Sequence, residues 1–504
     1  MVQLFLPGMS DSGLEAGKVY QDEDDTEMGF WSVMDPDEMA EWFNKKEEWI
    51  DMNRRERVFC ALDGKETDRT PWVPYAGVQA ANLLPDMDAE AFLKSAENIV
   101  AGFGQAYEKY TPDALPVLFD IQMEAEAIGC ELKWSKNNPP AVSTHVLEEA
   151  GRTIADLPFP TEQSGRYPVA MAAAREIVRQ YGDKIAIYAL ICGPLTLALH
   201  LRGVGLFSEM IRKKTKEQVE ALMKYCVQVG KDIARMYKEA GVDVIAVVDP
   251  MVSQISPKHF ETFVKGPTTE LNTYIRDELG LYVMSFSCGD ATKNLELMCQ
   301  TNTHGIAFDE NVDLAYARET AQKYHVAYGG NLPLTTIMLF GTPAENVEEA
   351  KRELDIGQGT GYILSPGCDI PYNTPIANLT AIADYVSGNY TSLDDFSDES
   401  LADDGADFED VAVEPGKVFI EVITLDSEGC APCQYMCEAV RGILPKYEGR
   451  ISWRESLVKT KAGIRRMKKL GVANLPVMLI NNEVVFNNIV PTQAELTTAI
   501  ESRL

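Results

Sequence analysis

The sequence predicts an α/β protein in which a (β/α)8 TIM barrel is followed by a small, separate α/β domain. Three observations lead there. Eight short β-rich apolar runs alternate with longer amphipathic stretches through the middle of the chain, a pattern that favours a parallel sheet with crossover helices. An acidic run over 390–415 then breaks the apolar pattern. Beyond it come a strand, a C-x-x-C and a helix.

Taken in order, residues 1–48 form an acidic arm with 13 acids and 3 lysines. Phe30, Trp31, Met34, Met39, Trp42 and Phe43 recur there at near-helical spacing, which predicts a helix in its second half. The barrel spans 49–389. Its strands are expected near Trp72 to Tyr75, Leu115 to Phe119, Ile185 to Leu190, Val242 to Val248, Leu281 to Phe286, Gly305 to Phe308, Val326 to Tyr328 and Tyr362 to Leu364. Between strands, Lys216 to Ala240 keeps Val219, Leu222, Met223, Cys226, Val227 and Ile233 mainly to one helical face. Eight such units fit the roughly 250 residues of a TIM barrel. No Gly-rich phosphate turn follows the first strand, which disfavours a doubly wound sheet. The run 390–415, with Asp394, Asp395, Asp398, Glu399, Asp403 and Asp404, has too little apolar surface to offset chain entropy and is expected as a linker. Residues 416–504 make the second domain.

The chain has 504 residues and a net charge of -31, of which the arm and residues 391–414 contribute 10 each. That balance opposes binding to nucleic acid or an anionic membrane. The most apolar stretch, Ile185 to Leu199, is interrupted by Gly193 and Pro194 and is shorter than the ~20 residues of a membrane span. With Asp22, Glu23, Asp24 and Asp25, the first thirty residues do not read as a secretory leader. A soluble, cytoplasmic protein is expected. Of ten cysteines, Cys60, Cys130, Cys192, Cys226 and Cys299 read as packing. The other five carry chemistry.

Barrel enzymes place reactive groups where strands end. Here Asp249, Ser287-Cys288-Gly289, Asp309, Asn331 and Gly367-Cys368-Asp369 follow predicted strands, so two cysteines and several carboxylates should face one mouth. Two thiolates with a harder ligand suit zinc, which can keep a position open and lower the pKa of a bound thiol.

The stretches RERVFCALDGKETDRTPWVP (55–74), FDIQMEAEAIGCELKW (119–134), SFSCGDATKNLELM (285–298), YGGNLPLTTIMLFGTP (328–343) and ILSPGCDIPYNTPIANLTAI (363–382) resemble the uroporphyrinogen decarboxylase superfamily. Within it they look more like the cobalamin-dependent methyltransferase branch, such as methylcobamide:coenzyme M methyltransferases. The decarboxylases' arginine-bearing segment after the first strand is absent, since Pro74 to Gln79 contains no arginine. The branch's zinc motif, His-x-Cys-Gly with a later Gly-Cys, aligns with Phe286-Ser287-Cys288-Gly289 and Gly367-Cys368. Phe286 replaces the histidine. Either the site has lost zinc, or another ligand substitutes. The resemblance places Asp309, 21 residues after Cys288, where related zinc methyltransferases supply a carboxylate. The implied metal set is Cys288, Cys368 and Asp309, with Asp249 a less favoured fourth ligand, since the resemblance suggests that it lines the substrate pocket. His200 and His325 read as structural; His145, His259 and His304 read as surface or helix-cap residues.

From Val418 the order strand, Cys430-Ala431-Pro432-Cys433, helix, strand, helix, Pro476, strand pair and helix resembles the thioredoxin fold over nearly the whole segment. Cys430 would stand at a helix N-terminus, which favours a thiolate. Cys433 would resolve the mixed disulfide, and Pro476 matches the proline held in cis beside the dithiol. Cys437, one turn on, packs or serves as a third thiol. A flexible tether of about 25 residues reaches ~25–30 Å, so the dithiol is expected to visit the barrel mouth and keep its cysteines reduced.

The resemblance implies methyl transfer between a methylcobamide corrinoid and a zinc-activated thiol, or from a methylated small molecule to a corrinoid protein. A separate corrinoid protein is the implied partner, since no Asp-x-His-x-x-Gly segment occurs in the chain. The alternatives are a uroporphyrinogen-type decarboxylase and a thiol-disulfide redox or binding protein with an inactive barrel.

Overall fold

A computed structural model of the chain describes residues 52–389 and 408–504, apart from 429, 448 and 473. The acidic arm with its expected helix, and the linker over 390–407, lie outside the described residues. Seven parallel strands lie side by side in chain order: Ala114–Pro116, Ala186–Cys192, Val244–Val248, Tyr282–Ser287, Gly305–Phe308, Ala327–Leu332 and Tyr362–Pro366. The expected first strand contributes a single parallel bridge, Trp72 to Leu364. Pro71 and Pro74 flank it and have no N–H to give, so only the bonds from Val73 N to Leu364 O (3.0 Å) and from Leu364 N to Pro71 O (2.9 Å) form on that side. On the other side Asp113 N donates to Trp72 O at 2.9 Å. The segment therefore joins the two edges of the sheet, giving a TIM-barrel-like domain.

Buried Asp113 holds this seam. Its carboxylate accepts from Trp72 N (2.7 Å), Arg57 Nη1 (2.5 Å) and Arg69 Nη1 (2.6 Å), so a fully covered charge has three donors and little desolvation is left uncompensated. Between the strands, helices such as Lys216–Ala240 bury one face, including Val219, Leu222, Cys226 and Ile233. Cys130, Cys192, Cys226 and Cys299 are buried free thiols, as packing requires, and Cys60 is half-buried.

Beyond the barrel a four-stranded sheet has Val418–Thr424 at its centre, parallel to Ile451–Leu457 and antiparallel to Val477–Ile480, which pairs antiparallel with Glu483–Asn487. Helices Ala431–Ile443, Lys461–Leu470 and Gln493–Glu501 accompany it. Buried Glu421 ties the sheet to the second helix, accepting from Arg466 Nη2 at 2.7 Å and Ser456 Oγ at 2.7 Å. The end of the expected linker belongs to this unit, because Asp410 pairs with Arg466 at 2.5 Å and Val411 N donates to Asn482.

The expected free tether is corrected. Asn53–Leu504 forms one compact unit in which the C-terminal segment is docked on the barrel. Helix Ala431–Ile443 is apolar nearly all round, burying Ala431, Cys433, Tyr435, Met436, Ala439 and Val440 among others; one sheet face cannot cover such a helix, and the turn Pro250–Gln254 packs against it as well. Polar contacts fix the docking: Lys133 to Glu428 at 2.5 Å, Asn138 Nδ2 to Asp426 at 2.8 Å, and buried Gln254, which donates to Asn488 Oδ1 (3.2 Å) and accepts from Val490 N (3.1 Å). No helix among the described residues is long and apolar enough to cross a membrane.

Candidate functional site

Strand ends and the docked segment together enclose a cavity of about 220 Å³. Val248, Cys288, Asp309, Glu310, Cys368 and Asp369 line it from the barrel, and Leu425, Cys430, Pro432 and Leu475 from the C-terminal side. The predicted gathering of two cysteines and several carboxylates at one mouth is what the barrel presents.

Cys288 directly follows the strand Tyr282–Ser287, and Cys368 follows Tyr362–Pro366. Both are half-buried. Their Cα atoms stand 5.7 Å apart and their sulfurs are joined as a disulfide. Gly367 permits the approach: a Cβ there would stand 2.7 Å from Glu310 Oε2 and 2.8 Å from Glu310 N, closer than side chains pack. The expected zinc set does not fit this arrangement. Joined sulfurs have no thiolate to donate, and among the described residues no group of three or more His, Cys, Asp or Glu is arranged to hold an ion.

Asp309 faces the same cavity but is engaged, accepting from Asn311 N at 3.0 Å and from Asn311 Nδ2. Burial nevertheless raises its pKa. Glu310, not anticipated, is the freer group. Its Oε2 is buried without a hydrogen-bond partner, and burial together with the Asp309 charge holds its pKa well above the usual carboxylate range. Two adjacent desolvated carboxyls do not both ionise near neutrality, so Asp309, with its donors, carries the charge and Glu310 the proton. Glu310 sits beside Asp309 at the same strand end, so the signal that singled out one carboxylate was present for both. Asp369 is also pushed well up by burial, and accepts from Gly77 N at 3.0 Å; a Cβ on Gly77 would overlap it.

Phe286 is packing. Its ring is buried against Tyr75 and Phe119, with centroids 5.0 and 5.8 Å away. Asp249 is a helix cap rather than a pocket or metal group, because its carboxylate accepts from Leu195 N (2.9 Å), Thr196 N (2.9 Å) and Thr196 Oγ1 (2.6 Å) at the start of Pro194–Arg202. Asn331 is likewise internal, donating to Asp309 O at 3.0 Å and Val312 O at 2.7 Å. Of the histidines, His200 is fully buried with neither ring nitrogen bonded, and burial lowers its pKa to about 3. His145 is not a free surface group: it contacts His200 O at 2.8 Å and Glu438 of the docked helix at 3.5 Å.

On the C-terminal side Cys430 is the N-cap of Ala431–Ile443 and lines the cavity. Cys433 is fully buried and joined to it, with Cα atoms 5.2 Å apart. The Leu475-Pro476 bond is cis, and Leu475 borders the cavity. Cys437 is buried, and burial pushes its pKa up to about 12, so it packs as an inert thiol.

The family model described as uroporphyrinogen decarboxylase (URO-D) matches residues 53–388, a span that ends before the C-terminal segment. A methylcobamide:CoM methyltransferase of Methanosarcina acetivorans is 29% identical over 339 residues, covering 64% of this chain and 95% of that protein. A methylated-thiol--coenzyme M methyltransferase of Methanosarcina mazei is 30% identical over 283 residues, covering 55% of this chain and 72% of that one. A solved structure of a methyltransferase from Methanosarcina mazei superposes with a TM-score of 0.61 at 23% identity, covering 68% of this chain and all of that one. That likeness supports the barrel fold.

Proposed function

The chain belongs to the uroporphyrinogen decarboxylase (URO-D) family, and on that premise we propose that its barrel transfers a methyl group between a methylated corrinoid and a small thiol, in either direction. The lining of the cavity carries this reading. Three cysteines and four carboxyls line it, while Lys459 is the only cation among the lining residues and is already paired with one of those carboxyls, Asp426. A decarboxylase of polycarboxylate tetrapyrroles needs cations around its substrate, and this cavity repels such a ligand. A neutral or softly nucleophilic sulfur compound suits it. The relatives' names point the same way, toward methylcobamide and thiols.

The chain's own groups account for the supporting steps. Apolar walls such as Val248, Leu334 and Ile370 keep water from the reacting sulfur. Asp309 accepts the proton that a substrate thiol loses on becoming the nucleophile, and Glu310 keeps its own proton and so spares the cavity a second charge. The methyl donor is carried by a separate corrinoid protein. The joined sulfurs cannot bind zinc; opening that disulfide would restore two thiolate donors beside a carboxylate. The C-terminal segment is an appended thioredoxin-like domain, with Cys430 and Cys433 as its dithiol and Pro476 as the cis residue beside it.

The test is methylcobalamin demethylation by reduced protein with a panel of small thiols, followed by absorbance, alongside the same assay on Cys368→Ser. Methyl transfer that needs Cys368 supports the proposal. Decarboxylation of a uroporphyrinogen without methyl transfer overturns it.

A further inference from the structure

We propose that the barrel disulfide Cys288–Cys368 is the substrate of the Cys430/Cys433 dithiol, which opens it by thiol-disulfide exchange across the cavity they share. This rests on the reading of Cys430 and Cys433 as a working dithiol and names what that dithiol acts on. The observation is the juxtaposition itself. Two disulfides, one from the barrel and one from the C-terminal segment, border one largely apolar cavity, the first at the strand ends and the second at the start of a helix.

The roles of the sulfurs follow from where each sits. Cys430 borders the cavity and caps a 13-residue helix, whose first N–H groups stabilise a thiolate. Cys433 is fully buried, bonded to Cys430, and does not line the cavity, so it serves Cys430 rather than attacking the barrel pair. Cys288 and Cys368 are half-buried, open enough for attack from the cavity. The buried free thiols do not compete, since burial raises Cys192 and Cys226 well above the usual thiol range. The docking contacts of Asp426, Glu428 and Gln254 hold the pairs in one neighbourhood.

The exchange balances in two steps. The Cys430 thiolate bonds to one barrel sulfur, the Cys288–Cys368 bond breaks, and the other barrel sulfur leaves as a thiolate. Cys433, losing its proton to solvent, then bonds to Cys430 and releases the second barrel sulfur as a thiolate. Two electrons pass from the dithiol to the barrel. Cys430–Cys433 is returned to its reduced form by an external dithiol reductant, which is oxidised to its disulfide. The product is a barrel with two free thiols at its mouth.

The full-length Cys433→Ser variant tests this, because Cys430 is left without its resolving partner. Incubated without added thiol, quenched by alkylation and mapped by mass spectrometry under non-reducing conditions, it should yield a peptide pair linking Cys430 to Cys288 or Cys368, with the other barrel cysteine alkylated. A second arm does not depend on that variant folding: with micromolar dithiol reductant, the barrel disulfide of the wild-type protein should open about a hundredfold faster than that of Cys430→Ser, as the effective concentration of a linked reactant requires. Turnover of a small aromatic disulfide by the wild type reports the dithiol itself. If that substrate turns over while Cys433→Ser keeps Cys288–Cys368 intact with Cys430 free, the barrel is not the substrate and the proposal is overturned, though the dithiol reading survives. If it does not turn over, both are overturned. Cys288 and Cys368 found as free thiols in protein handled in air would also overturn the proposal.

Discussion

Cys288 and Cys368 lie 80 residues apart in sequence, yet their Cα atoms are 5.7 Å apart and their sulfurs are bonded. They end different strands of one barrel, and Gly367 packs on Glu310 so closely that a side chain there would not fit. Metal binding at this mouth is therefore conditional on the sulfurs' oxidation state. Oxidised protein is expected to take up no zinc. After reduction, Cys288 and Cys368 together with a carboxylate offer the mixed sulfur and oxygen set that zinc accepts, and uptake should approach one ion per chain and disappear in Cys368→Ser. Metal analysis of the two forms after gel filtration decides this; equal zinc in both would refute it.

Glu310→Gln should leave both stability and activity nearly unchanged. The carboxyl is held neutral by burial and by Asp309, so an amide of the same shape should change unfolding free energy by less than about 1 kcal/mol. Methyl transfer should fall by less than about threefold, because Gln keeps the neutral state of Glu310, whereas Asp309→Asn, which removes the group that takes the thiol proton, should lower it by roughly a hundredfold or more. Denaturant midpoints and initial rates measured on the same preparation check both halves.

His200 predicts a pH dependence. Burial, and to a lesser extent His145, lowers its folded pKa to about 3, whereas an unfolded histidine titrates near 6.5. Below ~6.5 the unfolded chain binds a proton that the folded chain refuses. Stability is thus lost as pH falls, by about 2 kcal/mol between pH 7 and pH 5 from this group. His200→Leu should remove that slope. Midpoints at the two pH values give the answer, and an unchanged difference would refute the assignment.

Gln254→Ala should loosen the docked segment without unfolding the barrel. It removes the partner that Gln254 gives to Val490 N and to Asn488 Oδ1 at a buried contact, which costs about 1–3 kcal/mol. Amide exchange in helix Ala431–Ile443, which packs on the same turn, should quicken while exchange in Ala186–Cys192 stays as it is. Equal protection in the variant and the parent would show that the contact carries no weight.

The barrel was legible because its signal is local. β-rich runs ending in Asp309, Cys288 and Cys368 place those residues by strand period alone, and all eight expected strand positions lie where the sheet or its closing bridge runs. The first was overstated as a strand because the prolines at 71 and 74, visible in the sequence, withhold the N–H groups that a ladder needs. The docking is hidden by the acidic linker, whose composition suggests a free tether, but the nearly all-round apolar surface of the helix after it requires a second covering. The resemblance suggests a pocket role for Asp249; only the position of Thr196, 53 residues earlier, shows that it serves a helix. The pairing of the sulfurs was beyond reach, because residue order carries no record of oxidation state.

One wall of the 220 Å³ chamber is borrowed from the C-terminal segment, and that has a consequence for timing. Under the proposed function, a protein-borne methyl donor and the Cys430/Cys433 dithiol would both have to approach the strand ends from the side that this wall covers. Electron delivery and methyl delivery would then compete for one doorway, and each turn of the cycle would have to alternate between the two visitors.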